Sequence, residues 1–237
     1  LTLNYDFNYR LNDFTCDNRI LANYGLTKLK ADEFVRKTSD RIEFNSIAGK
    51  QIQETKWYYS YFLNFRSQLA KGYAFSEDAE TGEAIRTETT HFLSPGYLQT
   101  GPGLLWKYNE YLSVNIAPAT ARLVFVDDKF TSVPGYVDGD YFGVDQGKAT
   151  RFEFGASIGV YAKMFLLENV TAEHTLNLYS NYLDEPGNVD IDYLLSVEMS
   201  INKYLSANVI FQAIYDDNTV GAFQIREVFG LGLNHKF

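Results

Sequence analysis

The chain has 237 residues, a length that one all-β domain reaches without dividing. Apolar residues make up 46% and charged residues 22%, which carries no signature of disorder. The net charge of −9 argues against nucleic acid and against an anionic lipid surface, and a single Cys excludes a disulfide framework or a thiolate metal cluster.

Aromatic residues are abundant: 18 Tyr, 18 Phe and 2 Trp. They suit strands, and a membrane interface better still. The longest apolar runs, such as Met164 to Leu167, are too short to span a bilayer as a helix. The chain opens in Leu-Thr-Leu-Asn-Tyr without an N-terminal signal, as expected of a mature protein or a fragment.

Period-2 alternation runs along the sequence and predicts eleven strands, at 1–10, 14–29, 41–52, 56–73, 90–107, 111–127, 149–167, 170–183, 189–202, 204–216 and 222–237. In the tenth, Leu205, Ala207, Val209, Phe211, Ala213 and Tyr215 alternate with Ser206, Asn208, Ile210, Gln212, Ile214 and Asp216. One face is thus apolar, while the other mixes charge, amide, hydroxyl and Gly. Pro95, Pro102 and Pro118 fall inside strand candidates, where bulges or kinks are expected. Asn109-Glu110-Tyr111-Leu112-Ser113 echoes Asn202-Lys203-Tyr204-Leu205-Ser206, which predicts one kind of turn used twice.

Connections alternate in length. Short links at 11–13, 53–55, 108–110, 168–169 and 202–203 are interleaved with longer or more polar ones at 30–40, 74–89, 128–148, 184–188 and 217–221. Short turns on one rim and long loops on the other are the plan of an outer-membrane barrel, with long loops outside the cell and a periplasmic C-terminus. The last strand reads Phe229-x-Leu231-x-Leu233-x-His235-x-Phe237. Phe229, Leu231, Leu233 and Phe237 resemble the signal by which such proteins engage the barrel-insertion machinery.

Burial decides between a soluble and a membrane barrel. In the first the apolar face points inward; in the second it meets lipid and the polar face lines the interior. The polar face carries both signs: Arg10, Arg19, Glu43, Arg66, Arg151, Glu153, Glu173, Glu198 and Arg226 are the expected lumen-lining residues, with Asp6 beside them. Aromatics gather at strand ends: Tyr9, Phe14, Trp57, Tyr59, Trp106, Tyr111 and Tyr204 by the short turns, and Tyr73, Phe92, Phe125, Phe152, Tyr182 and Tyr215 by the long loops. Two such belts match girdles at two interfaces. Opposite signs at nearby inward positions, as in Arg151 and Glu153, favour a lumen closed by charge pairs over an aqueous channel.

Chemistry-bearing constellations are scarce. His174 and His235 share register with outward apolar positions near strand ends, and His91 reads as a loop-facing polar residue. No Ser lies in a Gly-x-Ser-x-Gly elbow and no His partners a nucleophile, so no catalytic residue, metal ligand or cofactor site is assigned. Asp127, Asp128, Asp138, Asp140 and Asp145 miss the spacing of a calcium loop and read as a solvated acidic loop. Gly101 and Gly103, like Gly230 and Gly232, open no helix and are read as relieving crowding inside a curved sheet.

Several blocks carry a family resemblance: Trp57-Tyr58-Tyr59-Ser60 with Asn64-Phe65-Arg66-Ser67-Gln68, Phe92-Leu93-Ser94-Pro95-Gly96-Tyr97-Leu98, and Leu112-Ser113-Val114-Asn115-Ile116-Ala117-Pro118. Ser180-Asn181-Tyr182-Leu183-Asp184, Asn202 to Ala207, Ile214-Tyr215-Asp216-Asp217 and Glu227-Val228-Phe229-Gly230 continue it. Together they resemble Bacteroidota outer-membrane proteins known only as a domain of unknown function. The resemblance implies a fold and a membrane but no catalytic residue, and the Trp- and Gly-containing segment usual upstream in that family has no match here.

The expectation is therefore an all-β, transmembrane, antiparallel outer-membrane β-barrel over 1–237, in contact with outer-membrane lipid and lipopolysaccharide. The expected role is a non-enzymatic accessory subunit of a larger outer-membrane complex for secretion, protein insertion or nutrient uptake, docked to other outer-membrane proteins. The alternative is a passive, porin-like channel. Counting back from Phe237, residue 1 falls on the long-loop side. Because such barrels have even strand counts, a twelfth strand is expected before Leu1.

Overall fold

A computed structural model describes residues 1–30, 33–78, 81–216 and 221–233. The first strand candidate is two strands, β1 (Thr2–Asp6) and β2 (Tyr9–Leu11), both paired with β3 (Phe14–Thr27). Then follow β4 (Arg36–Gln51), β5 (Trp57–Ser67), a hairpin of β6 (Gly72–Glu77) and β7 (Ala84–Thr90), β8 (Gly96–Asn109) and β9 (Leu112–Phe125). A four-residue helix, α1 (Asp128–Thr131), precedes β10 (Thr150–Leu167), β11 (Val170–Asn181), β12 (Val189–Ser200), β13 (Leu205–Tyr215) and β14 (Gln224–Leu233). No helix among the described residues is long and apolar enough to cross a membrane.

One antiparallel sheet takes its strands in chain order, β1-β3-β4-β5-β8-β9-β10-β11-β12-β13-β14, with β6 and β7 apart in their own two-stranded sheet. Eleven strands therefore form the path, as the alternation predicts. The order begins at β1 and ends at β14. Leu1 exchanges backbone hydrogen bonds with Tyr24, toward the Thr27 end of β3, which is the expected long-loop side. The Asn turns are indeed one device used twice: Asn109 Oδ1 accepts from the Tyr111 amide and Asn202 Oδ1 from the Tyr204 amide.

Two compact units share the chain. The first comprises Leu1–Ala48, Phe62–Thr100 and Ala121–Phe152; the second comprises Gly49–Tyr61, Gly101–Thr120 and Glu153–Phe237. In the first unit, β1 and β2 are separated at Phe7-Asn8 because Asn18 fills the break. Its side-chain amide donates to Phe7 O at 2.9 Å, its backbone amide donates to Asn8 Oδ1 at 3.0 Å, and Ser46 satisfies its own carbonyl at 2.8 Å. Three boundaries differ from the sequence reading. β4 starts at Arg36 rather than 41, since Asp40 accepts from the amides of Leu69 and Ala70 and pairs with Lys37 at 2.7 Å. β5 stops at Ser67, whose hydroxyl donates to Pro95 O and accepts from the Leu93 amide. Residues 72–77 and 84–90 form a hairpin where a loop was expected, and β8 begins only after Pro95.

In the second unit, register sorts side chains cleanly. Rows such as Tyr161–Thr175–Leu194–Gln212–Arg226 and Lys163–Glu173–Ser196–Ile210–Val228 lie on one face. Rows such as Val160–Leu176–Tyr193–Ala213–Ile225 and Met164–Ala172–Val197–Val209–Phe229 lie on the other. Large apolar side chains on the second face stay exposed, Phe229 at 67% and Leu231 at 73%. Glu153 meanwhile is 1% exposed. Burial is inverted relative to an ordinary sheet with an oily core.

Close backbone approach explains several glycines. An added Cβ at Gly101 would lie 2.4 Å from Ala119 O, and at Gly103 it would lie 2.7 Å from Ile116 O. Facing Gly230 is Asn208, whose side chain takes the space a Cβ would need. Next to Gly101, β9 shifts its parity: Asn115 and Ala117 are buried before Pro118, and Thr120, Arg122 and Val124 after it. Thr120 Oγ1 donates to Ala117 O at 2.9 Å across the irregularity, the distortion expected at that proline.

Candidate functional site

The richest polar assembly lies in the first unit, where the β6–β7 hairpin meets the segment after β9. Glu88, directly opposite Tyr73 in the hairpin, is its hub. It takes Lys71 at 2.6 Å, Lys129 at 2.7 Å and His91 Nδ1 at 2.9 Å. His91 Nε2 lies 3.3 Å from Asp127, so the ring is held between two carboxylates. Lys129 first, then Lys71 and His91, hold the Glu88 carboxyl down at about 2. The reciprocal effect raises Lys71 above its ordinary value.

Beneath these charges sits a small apolar core of Val124, Val126 and Val144, with Tyr97, Tyr141 and Phe142 packed on it. Phe130 of α1 stacks between His91 and Tyr141, at centroid distances of 5.6 and 4.8 Å. Tyr141 Oη donates to Thr89 O at 2.6 Å, and burial pushes its hydroxyl up to about 12. Ser94, fully buried, accepts from the Asp127 amide at 2.9 Å.

The acidic loop is held in shape by its own carboxylates, and Asp128, Asp138, Asp140 and Asp145 are exposed, as expected of a solvated acidic loop. Asp127 caps α1 by accepting from the Lys129 amide, Asp138 accepts from the Gln146 amide, and Asp145 pairs with Lys148 at 2.7 Å. Carboxylates committed to loop amides leave no converging oxygen cage. Among the described residues no three His, Cys, Asp or Glu side chains are grouped to hold a metal ion.

Two expected outcomes follow from this geometry. Glu88→Gln weakens three charge-assisted bonds at once, so backbone amides of 84–90 and 127–131 exchange hydrogen about tenfold faster at neutral pH. Since the Glu88 pKa is depressed in the fold, its stabilisation is full above about pH 4.5 and fades as pH falls toward 2; the Gln variant loses that dependence. Tyr141→Phe leaves Thr89 O without its donor and costs about 1 kcal/mol in urea denaturation. It also removes a loss of stability between pH 10 and 12, where unfolded tyrosine ionises and the buried hydroxyl does not.

The expected lumen residues are scattered over both units. Arg10 is exposed on β2, opposite Thr15. Arg19 forms a two-pronged pair with Asp6, at 2.6 and 3.0 Å. Glu43 is 4% exposed, accepting from Arg41, Asn45 and Asn64. Arg66 stacks over Tyr97 at 4.6 Å, and Arg151 packs its guanidinium onto Gly143. In the second unit Glu153 is deeply buried, Glu173 pairs with Lys163 at 2.8 Å, Glu198 sits exposed opposite Asn208, and Arg226 faces Gln212.

Reasoning from sequence missed Arg122, 5% exposed with its guanidinium 5.6 Å from the Tyr97 ring, because the parity shift at Pro118 moved it to the buried face. It also missed Arg41 and Lys37, which lay outside or at the edge of the expected strand. The bonded His91 was readable only as its neighbourhood of Thr89 and Thr90. His174 does share the apolar face but lies within β11, its Nδ1 2.8 Å from Tyr193 Oη. Phe229 and Leu231 stand outward on β14 and Leu233 pairs with Leu205; Phe237 and His235 lie outside the described residues.

These features define an all-β antiparallel sheet protein in which large apolar side chains are exposed and several charged and polar ones are buried. The family described as "Protein of unknown function (DUF3078)" matches residues 1–73. Neither curated proteins nor solved structures return a match.

Proposed function

We propose that the chain builds an outer-membrane β-barrel, its apolar face to lipid and lipopolysaccharide, its long loops outside the cell and its last strand read by the insertion machinery. Its role is that of a non-enzymatic structural subunit of a larger outer-membrane assembly. The observation that carries this reading is the inverted burial: charged Glu43, Arg122 and Glu153 are withdrawn from solvent while Phe152, Phe229 and Leu231 are offered to it. In water that arrangement is costly; against hydrocarbon it is the stable one. The sequence blocks that resemble those of Bacteroidota outer-membrane proteins support the same location and a source in that phylum.

A structural subunit is favoured over a channel because the polar face spends its charges internally. Arg41 and Glu43 bond to one another, and Lys163 pairs with Glu173. Gentle extraction from native membranes tests the proposal. A heavier particle with constant companions, electrically silent in planar bilayers, is expected. A lone monomer under every mild detergent, or steady nanosiemens-scale current steps, overturns it.

A further inference from the structure

The outward column of β14 is interrupted. Phe223, Ile225, Phe229 and Leu231 are all exposed and apolar, and between Ile225 and Phe229 stands Glu227, also exposed. Its cross-strand neighbour is Phe211, and the same row continues through Leu195, His174 and Ala162. Glu227 has no hydrogen-bond or ion-pair partner among the described residues.

Depth makes this carboxylate unusual. The rings of Tyr215 and Phe223, 5.4 Å apart, sit at the long-loop ends of β13 and β14, where an interfacial girdle belongs. Glu227 lies four residues further toward the short turns, about 13 Å along the strand and roughly 9 Å below the girdle at a typical tilt. A carboxylate at that level costs on the order of tenfold in the insertion equilibrium if lipid is its neighbour. Charges at such depth face protein and are paired.

We infer that the outward face of β14, centred on Glu227, docks a second membrane-spanning protein that presents a Lys or Arg at the same depth. This rests on the reading of the chain as an outer-membrane subunit and names the contact through which it assembles. A second copy docked through this same face does not meet the requirement: among the described residues, the apolar face of β10 to β14 carries no Lys or Arg. Ile225, 63% exposed, and Phe229 flank the carboxylate and supply the apolar rim that excludes lipid from the pair.

The test uses the full chain expressed in its native host, with assembly read by native electrophoresis of gently extracted membranes. E227K is expected to lower the assembled fraction about thirtyfold or more, E227Q nearly as much, and E227D little. Heat-modifiable migration of each variant confirms that its barrel still forms. A photoreactive residue at Ile225 is expected to yield an adduct to a peptide containing Lys or Arg, and Glu in place of that cation restores assembly with E227K. Retention of the assembly by E227K and E227Q overturns the inference while leaving the subunit reading intact. Adducts to lipid alone also overturn it. A wild-type protein that is monomeric in the outer membrane overturns both.

Discussion

Gly155→Ala in β10 is expected to destabilise the fold by about 3 kcal/mol or more, the upper range for forcing extra volume into packed structure. A Cβ at this position would lie 1.9 Å from Ser180 O and 2.9 Å from its carbonyl carbon. Both are backbone atoms of the paired strand β11, so relief requires the β10–β11 register to open rather than a side chain to turn. Four residues along the same strand, an added Cβ at Gly159 meets only Asn177 Oδ1, at an ordinary 3.5 Å. Gly159→Ala should therefore fold normally. Urea titration of the two variants, read by heat-modifiable migration, checks the contrast. Equal behaviour would mean that β10 and β11 do not approach as closely as described.

Glu43→Ala is expected to be the second large effect, at about 3–5 kcal/mol. The carboxylate accepts from Arg41 through Oε2 and from Asn45 and Asn64 through Oε1, all in the first unit. Truncation takes the Glu43 carboxylate away from the Arg41 guanidinium, whose side chain is mostly covered, and from two amides at once. Glu43→Gln keeps the shape and one acceptor, so it should cost less than the alanine variant. Arg41→Ala with Glu43→Ala together should cost less than the sum of the two, because both single variants lose the same bond. Unfolding midpoints of the three variants measure that coupling directly.

The sequence makes legible those parts in which one rule acts alone. From β10 to β14 successive strands pair as neighbours in chain order, so period 2 sorts Lys163, Glu173 and Ser196 from Met164, Ala172 and Val197 without further information. The Asn109 and Asn202 turns are readable because an Asx turn is local chemistry. Legibility fails where a distortion or a tertiary contact sets the outcome. Pro118 signals a bulge but not its size, and a one-residue shift decides that Arg122 is buried. The β6–β7 hairpin is hidden because its residues are mostly polar and its face is organised by Glu88 reaching Lys129, far along the chain. In the capping loop the aspartates are conspicuous as charge, whereas the apolar partners Val144, Tyr141 and Phe142 follow no period. Their grouping, and the clasp around His91, exist only once the loop has folded over the ends of β8 and β9.

Contact of the exposed apolar face with hydrocarbon is measured by site-directed spin labelling in reconstituted bilayers. With Cys16 replaced by Ser, labels at Val197 and Phe229 should collide readily with oxygen and hardly at all with a polar nickel chelate. A label at Ser196, one residue away on the opposite face, should be shielded from the oxygen in lipid. Greater access of the nickel chelate than of oxygen at Val197 and Phe229 would put the apolar face in water and overturn its placement against lipid.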